Sequence, residues 1–273
     1  MLLNDDLGLS EKSARWVPKV LLQPQKDVRF ECCHRFLQRF RDDGEAFLDR
    51  IVIMDETAVA LFTPERKEQS KQWVPRGTPG PIKGKSQQAR EKRMVLVFFD
   101  NRGLIYSNIV PKGSTVNAAH VIGTLKIFLK RLREKRPEKT DAGIIFQWDN
   151  ARVHTAASVR EYLAARGQEM LEHPPYSPDL APADFWLFRV VKNELAGRAL
   201  THSGFKTVWD GVTRDLDESD FAGAFKQWVD RHEKCHRLAV DYVEKCEEKI
   251  PNRKPIRLIS IDRFLFRIIR TPY

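Results

Sequence analysis

Two apolar runs of this chain lead directly into an aspartate, and this pattern constrains the fold more than any other feature. The run at positions 51–54 is followed by Asp55, and the run that ends at Trp148 is followed by Asp149. Short apolar runs of this kind predict buried strands. A third aspartate, Asp184, opens an apolar helical stretch, with 34 residues between it and Asp149. Each acid alone indicates little, because aspartate is common wherever a strand stops and a helix is capped.

Three acids carried by two strand ends and one helix start can converge on one point. Converging carboxylates repel one another unless a hard dication lies among them. Because the ligands are all oxygen, Mg²⁺ or Mn²⁺ is the preferred ion. Side chains alternate along a strand, so Asp55 and Glu56 must point to opposite faces of the sheet. We select Asp55, which is in phase with Ile53, and keep Glu56 as the alternative ligand.

Composition narrows the class of protein. A length of 273 residues, with 42% apolar and 31% charged residues, is typical of one main globular domain. The net charge of +10 favours an anionic partner, although nucleic acid, acidic protein and a membrane surface all fit. The four cysteines have neither zinc-site nor secreted-framework spacing, so we expect reduced thiols. We see neither a signal peptide nor 18 consecutive apolar residues, and expect neither secretion nor membrane insertion.

The order of predicted elements indicates an α/β fold of the ribonuclease-H-like type. That fold has a mixed five-stranded sheet flanked by helices on both faces, and its central strands deliver their terminal residues to one edge. The predicted strands are 51–54, 59–62, 94–99, 104–110, 144–148 and 170–173. The predicted helices run from Pro24 to Gly44, over 116–135, after a cap at Thr155, over 184–197, and twice more beyond Gly197.

The chain is predicted to divide into a linker arm with a leading helix (1–44), a catalytic domain (45–246) and a basic tail (247–273). From Lys249 onward the tail has seven basic residues and one acid. An insertion at 63–93 is long for a compact domain and carries nine Lys or Arg against three Glu. It is either a surface insertion without a role or one that grips DNA or a partner.

Three phrases closely resemble the catalytic core of mariner transposases: Asp55-Glu56-Thr57, Trp148-Asp149-Asn150-Ala151-Arg152-Val153-His154-Thr155-Ala156 and Pro175-Tyr176-Ser177-Pro178-Asp179-Leu180-Ala181-Pro182-Ala183-Asp184-Phe185. The 34-residue gap is that family's spacing, and the likeness runs from about Leu7 to Lys245. The family usually has Thr-Gly before the first aspartate, where this chain has Ile53-Met54. It usually has Pro at the position of Val153. The two helix-turn-helix modules that normally precede the linker are expected to be absent, because the chain starts almost at the linker.

The resemblance implies a DNA transposase whose Asp55, Asp149 and Asp184 hold two divalent ions, Mg²⁺ with Mn²⁺ able to substitute, and no small-molecule cofactor. The implied reactions are hydrolysis of transposon-end phosphodiesters and strand transfer into TA target DNA, with nuclear localisation. Further residues could position DNA phosphates: Asn150, Arg152, His154, Lys83 and Lys85. For the first three, a helix-capping turn with a satisfied histidine is the structural alternative.

The resemblance also implies a homodimer. The 63–93 insertion matches the family's clamp loop, which reaches the second subunit, and the arm at Trp16, Val17 and Pro18 matches its interdomain linker. Together with Trp73 in the insertion, these are the candidate dimer contacts; packing on its own domain is the alternative for the arm. Two competing functions stay open. One is a decayed or host-retained fragment that binds DNA or dimerises without catalysis, and the other is a ribonuclease for RNA–DNA hybrids.

Overall fold

The computed structural model describes residues 16–65, 69–82, 91–238 and 242–243. The candidate residues Lys83 and Lys85 and the predicted tail at 247–273 lie outside the described residues. The strands are β1 (Ile51–Ala60), β2 (Lys92–Asp100), β3 (Gly103–Ile109), β4 (Ile145–Gln147) and β5 (Glu169–Leu171). The helices are α1 (Gln23–Asp43), α2 (Glu45–Arg50), α3 (Ala118–Lys135), α4 (Pro137–Ala142), α5 (Ala157–Ala164), α6 (Phe188–Leu195), α7 (Phe205–Arg214) and α8 (Glu218–Arg237).

The five strands form one mixed sheet in the order β3-β2-β1-β4-β5. β2 runs antiparallel to both β1 and β3, whereas β4 runs parallel to β1 and β5 runs parallel to β4. Helices cover both faces, because each face of the sheet is apolar. The predicted ribonuclease-H-like fold is therefore confirmed. Over the described residues, no helix combines the length and apolarity that crossing a bilayer requires.

Alternation along β1 and β2 divides the core into two apolar layers. Ile51, Ile53 and Val97 belong to the first layer, which also contains residues of α1, α7 and α8 and of the segment at 183–195. Val52 and Leu96 belong to the second layer, with residues of α3 and α5. Because neighbouring strand residues face opposite sides, each layer receives every second side chain.

β1 is one continuous strand, not the two short strands predicted at 51–54 and 59–62. Its antiparallel ladder with β2 runs from Ile53 to Ala60 without a break. The strand passes through Asp55 and Glu56, so the two carboxylates do not end it. β4 has already ended on the other side of β1, and the Glu56 backbone N–H donates to Asp55 Oδ1 at 2.7 Å.

Several predicted boundaries also shift. The insertion ends before Lys92, where β2 begins, two residues earlier than predicted. Thr155 does not cap α5: the cap is Ala156, and the Thr155 hydroxyl donates instead to the Ala151 carbonyl at 3.3 Å. The predicted helix at 184–197 begins with a π-helical turn at Ala183–Leu187, continues as α6 and ends at Leu195.

The leading helix α1 is part of the main core. Phe36 of α1 packs against Phe47 of α2 and Trp228 of α8, with ring centroids 5.3 Å and 4.7 Å away. Gly44, at φ +59°, ends α1 and turns the chain directly into α2. The predicted division at residue 44 therefore falls inside one continuous packing unit.

Candidate active site

Asp55 and Asp149 are brought together by the parallel pairing of β1 and β4. Ile51 pairs with Ile145 and Ile53 with Gln147, and β4 ends at that point. β1 continues, so the same register carried two residues further sets Asp149 beside Asp55. Asp55 is half-buried and Asp149 is exposed. Because β4 stops at Gln147, Asp55 lies in a part of β1 that no longer pairs with β4.

Asp184 lies in the π-helical turn at Ala183–Leu187, within electrostatic range of Asp55 and Asp149. Its neighbours Ala183 and Phe185 are buried in the layer that contains Ile53, while Asp184 itself is exposed. Apolar neighbours therefore fix this turn against the face of β1 that carries Asp55. π-helical turns within helices are frequent at functional sites.

The three carboxylates interact electrostatically. Burial raises the pKa of Asp55 well above its ordinary value, and the charges of Asp184, Asp149 and Glu56 raise it further. Loss of solvent and the charge of Asp149 raise the pKa of Asp184 to about 6, although Lys192 partly opposes this. The three predicted acids thus lie within electrostatic range of one another, and a cation would relieve their mutual repulsion.

Asp149 is held by its own turn. Its Oδ1 accepts a hydrogen bond from the Ala151 backbone N–H at 3.0 Å and another from His154 Nδ1 at 2.8 Å. Burial raises the pKa of Asp149, but these hydrogen bonds outweigh it and lower the pKa overall. Asp149 therefore stays ionised while the pKa values of Asp55 and Asp184 are raised.

His154 is completely buried, contrary to its predicted role in contacting phosphate. Its Nε2 lies 2.8 Å from Glu56 Oε1, and its ring stacks on Trp148 with centroids 5.2 Å apart. Burial lowers the pKa of His154, but the hydrogen bonds to Asp149 and Glu56 raise it to about 10. Buried among these partners, His154 has no surface to offer DNA, and the alternative of a satisfied histidine in a turn is correct.

Glu56 lies on the opposite face of β1 from Asp55, as alternation requires. It follows Met54 into the second apolar layer and meets His154 there, whereas Asp55 follows Ile53 toward Asp184. Asp149, just beyond the end of β4, is hydrogen-bonded to His154 on one face of β1 and interacts through its charge with Asp55 on the other. The sequence gives no signal for the contact between Glu56 and His154, because it depends on the path of the 149–156 turn.

With this geometry in place, comparison with known families is decisive. The model of the family described as "DDE superfamily endonuclease" matches residues 34–204, which is more than half of the chain and includes all three acids. The chain belongs to the DDE superfamily of endonucleases.

Within this superfamily the chain is similar to mariner transposases, as the sequence phrases predicted. It is 36% identical over 215 residues to the Mariner Mos1 transposase of Drosophila mauritiana, covering 78% of this chain and 59% of the relative. It is 30% identical over 242 residues to the human histone-lysine N-methyltransferase SETMAR, covering 84% of this chain and 33% of that protein. The chain thus spans 59% of the length of the Mos1 enzyme and one third of SETMAR.

A solved structure supports the same relationship. The Mos1 mariner paired-end complex with Mn superposes with a TM-score of 0.76 at 33% identity, over 88% of this chain and 70% of that chain. A paired-end complex with Mg gives the same values. These two related structures are paired-end complexes, one described with Mn and the other with Mg.

Two further predicted DNA contacts, Asn150 and Arg152, lie in the turn after Asp149. Asn150 is exposed, and its Nδ2 donates to the His173 carbonyl at 2.7 Å, so part of its amide holds the turn to the segment after β5. Arg152 is exposed and makes no side-chain hydrogen bond to any described residue. Of the candidate dimer contacts, Trp16 is 98% exposed and Trp73 is fully exposed, while Val17 is half-buried and Pro18 is exposed.

Lys192 is a residue that the sequence analysis missed. It follows Asp184 by two helical turns, and its charge interacts with both Asp184 and Asp55. Burial lowers the pKa of Lys192, and the two acids partly restore it. Its spacing from Asp184 along one helix face was the available signal.

The segment that carries Asp184 is anchored by buried contacts that the sequence did not indicate. Asp179 is almost completely buried and receives Arg29 of α1 through two hydrogen bonds, at 2.9 Å and 2.5 Å. Trp228 Nε1 of α8 donates to the Leu180 carbonyl at 2.7 Å. Tyr176, at φ +55°, adopts the left-handed conformation that non-glycine residues seldom take, and such strain is often found near functional sites.

Proposed function

We propose that this chain is the catalytic domain of a metal-dependent DNA transposase. It would hydrolyse the phosphodiester bonds at transposon ends and join the released ends to target DNA at TA dinucleotides. The observation that carries the proposal is the electrostatic interaction of Asp55, Asp149 and Asp184 beside the end of β4. Burial and the charges of Asp184 and Asp149 raise the pKa of Asp55, and burial and the charge of Asp149 raise the pKa of Asp184.

The donor set fits divalent metals such as Mg²⁺ and Mn²⁺. It consists of carboxylate oxygens, which these ions prefer. Asp149 Oδ1 already accepts two hydrogen bonds, whereas Oδ2 accepts none from the described residues. Asp149 would therefore bind through Oδ2, and Asp55 and Asp184 would supply the remaining oxygens from one face of β1. Held by these three aspartates, two divalent ions would supply activation of the attacking water or 3′-hydroxyl and stabilisation of the leaving oxygen.

The surrounding residues would orient the DNA backbone. Arg152, exposed in the turn after Asp149, would bind a phosphate beside the acids. Asn150 would keep that turn in place through its hydrogen bond to the His173 carbonyl. Lys192, whose charge interacts with Asp55 and Asp184, would attract the backbone and balance part of the negative charge. Such contacts bind phosphates without reading sequence.

We propose further that the domain acts as a homodimer in the nucleus. The exposed side chains Trp16 and Trp73 support the first part, since large aromatic side chains in solvent are characteristic of contact surfaces. The family resemblance of the arm and of the 63–93 insertion points the same way. Nuclear localisation follows from the proposed DNA chemistry.

A Mn²⁺ titration tests the metal site without DNA. The protein is compared with Asp149→Ala by isothermal calorimetry, and Asp43→Ala is the matched control, because Asp43 is exposed at the end of α1, before β1 begins. We expect two bound ions in the wild type and in the control, and loss of binding in Asp149→Ala. Equal binding in Asp149→Ala, or none in the wild type, would favour a scaffold without catalysis.

The same three proteins then enter a plasmid cleavage assay in Mn²⁺. Cleavage should be abolished in Asp149→Ala while its circular dichroism spectrum remains that of a folded protein. Retained cleavage in that variant would contradict the assignment. An RNA–DNA hybrid cut in preference to duplex DNA would indicate the ribonuclease instead.

A further inference from the structure

A buried bridge links the two faces of β1 at the acid cluster. His154 Nδ1 lies 2.8 Å from Asp149 Oδ1, and His154 Nε2 lies 2.8 Å from Glu56 Oε1. The histidine has no exposed surface, and ligand atoms of the three residues lie within 4.8 Å of one another. Glu56, His154 and Asp149 thus form a continuous hydrogen-bonded chain, which we call the Glu56–His154–Asp149 bridge.

Both ring nitrogens of His154 are engaged in this bridge, because each lies 2.8 Å from a carboxylate oxygen. Both distances are those of hydrogen bonds. The bridge therefore gives Asp149 Oδ1 a partner in a fixed place.

The ring and its backbone are held by two further contacts. Trp148 stacks on the ring, and the His154 backbone N–H donates to the Ala151 carbonyl at 3.0 Å. Rotation of the imidazole would break both carboxylate contacts. The position of Asp149 Oδ1 is therefore set by a rigid partner.

We propose that His154, anchored by Glu56, is the positioning residue that turns the Asp149 carboxylate so that Oδ2 faces the metal. The inference rests on the proposed role of Asp149 as a ligand and adds two residues that act through it. Partners of this kind orient first ligands in metal sites, and their removal commonly weakens metal affinity by about 10–100-fold.

The sign of the effect separates positioning from simple electrostatics. Removing a histidine, whether neutral or protonated, adds no positive charge to the site, so charge alone predicts unchanged or tighter Mn²⁺ binding in His154→Ala. Loss of positioning predicts weaker binding. For His154→Asn we expect rescue, because the asparagine amide can donate to Asp149 in place of Nδ1.

The experiment is a Mn²⁺ titration of the full chain followed by electron paramagnetic resonance, with thermal unfolding as the check on folding. We expect His154→Ala to weaken binding by about 10–100-fold and Glu56→Ala by about 10-fold. His154→Asn, which keeps only the hydrogen bond to Asp149, should recover part of the affinity lost in His154→Ala. Glu56→Gln, which keeps an acceptor for His154, should remain within a few-fold of the wild type. The matched control is Thr155→Ala, which removes a hydrogen bond of the same turn without touching Asp149.

Each outcome decides one claim. Unchanged or tighter Mn²⁺ binding in His154→Ala, together with loss in Asp149→Ala, would overturn the positioning role and leave the metal site standing. Absence of binding in the wild type would overturn the proposed function and the inference with it. If His154→Ala does not fold, Glu56→Ala against Glu56→Gln decides, since equal affinities in those two variants would contradict the bridge.

Discussion

Asp179 and Asp184 lie five positions apart in one short segment, yet the protein treats their charges in opposite ways. Asp179 is buried and receives two hydrogen bonds from Arg29 and a third from the Val243 backbone N–H at 2.9 Å. Asp184 is exposed and faces two further carboxylates, with Lys192 as its partial counter-charge. One acid is fully paired, whereas the other is part of an excess of negative charge.

The difference separates the structural from the chemical role of a carboxylate. A buried charge persists only when its partners satisfy it, and it then fixes the elements that it joins. Asp179 joins α1 to the segment that carries Asp184, and α8 adds the Trp228 contact to Leu180. A cluster of like charges with raised pKa values costs stability and is characteristic of functional sites. The paired acid thus supports the unpaired one.

Breaking the buried ion pair of Arg29 and Asp179 should give the largest loss of stability. Arg29→Met leaves Asp179 buried without its cation, and we expect a loss of about 3–5 kcal/mol in the free energy of unfolding. Urea denaturation followed by tryptophan fluorescence measures this loss. The double variant Arg29→Met/Asp179→Leu should recover much of it, because an apolar pair often replaces a buried ion pair at little cost. If the free energy of unfolding of Arg29→Met lies within about 1 kcal/mol of the wild-type value, the pair is not structural.

The region around Asp184 could be predicted from the sequence, whereas the ion pair of Asp179 could not. The strand runs, the spacing of Asp149 and Asp184 and the alternation at Asp55 and Glu56 are local patterns, and they predicted the sheet and the gathering of the acids. The contact between Arg29 and Asp179 joins positions 150 apart and leaves no periodic signal.

His154 shows the same limit at the site itself. Its place in a polar turn favoured contact with DNA, but Trp148 and Glu56 enclose it from the opposite face of β1. The path of a turn, unlike the period of a strand, depends on packing that the pattern does not record. Asp55 was likewise predicted at a strand end, whereas the strand that ends at that level is β4.

Two buried histidines extend the comparison to positive charge. His154, between two carboxylates, has its pKa raised to about 10, whereas His232, buried among aromatic rings, has its pKa lowered to about 3. Burial is the main cause at His232, and His173 and Arg29 add to it, while its hydrogen bond to the Trp228 carbonyl opposes it. Below pH 6.5 the unfolded chain binds a proton at His232 that the folded chain does not.

The stability contributed by neutral His232 is therefore present above pH 6.5 and lost as the pH falls toward 3. We expect the free energy of unfolding to fall by about 1.4 kcal/mol per pH unit on account of this residue. Urea denaturation between pH 6.5 and 5 should show a shallower slope for His232→Asn, which keeps a donor for the Trp228 carbonyl but does not titrate. Parallel slopes in the two proteins would contradict the assignment. His154 behaves in the opposite sense: its contribution is present below pH 6.5 and lost as the pH rises through 10.

Removing the charge of Asp184 should give the smallest change in the free energy of unfolding, and this change should be a gain in stability. The pKa of Asp184 is raised to about 6, so its ionised form is disfavoured in the folded, metal-free protein. The penalty is absent below the ordinary pKa, grows as the pH rises and is complete above 6. Because Asp184 is exposed, solvent screens the repulsion, and Asp184→Asn should stabilise the protein by no more than about 1 kcal/mol at pH 7.5. Thermal unfolding with a chelator at pH 7.5 and pH 4 measures this gain, which should vanish at pH 4.

Asp179→Asn is the matched control and should destabilise the protein, because it weakens the pairing with Arg29. In Mn²⁺ the wild type should instead be more stable than Asp184→Asn. Bound metal stabilises the wild type by mass action, and the variant should lose that stabilisation. A destabilised Asp184→Asn in the chelator would mean that Asp184, like Asp179, is a structural acid.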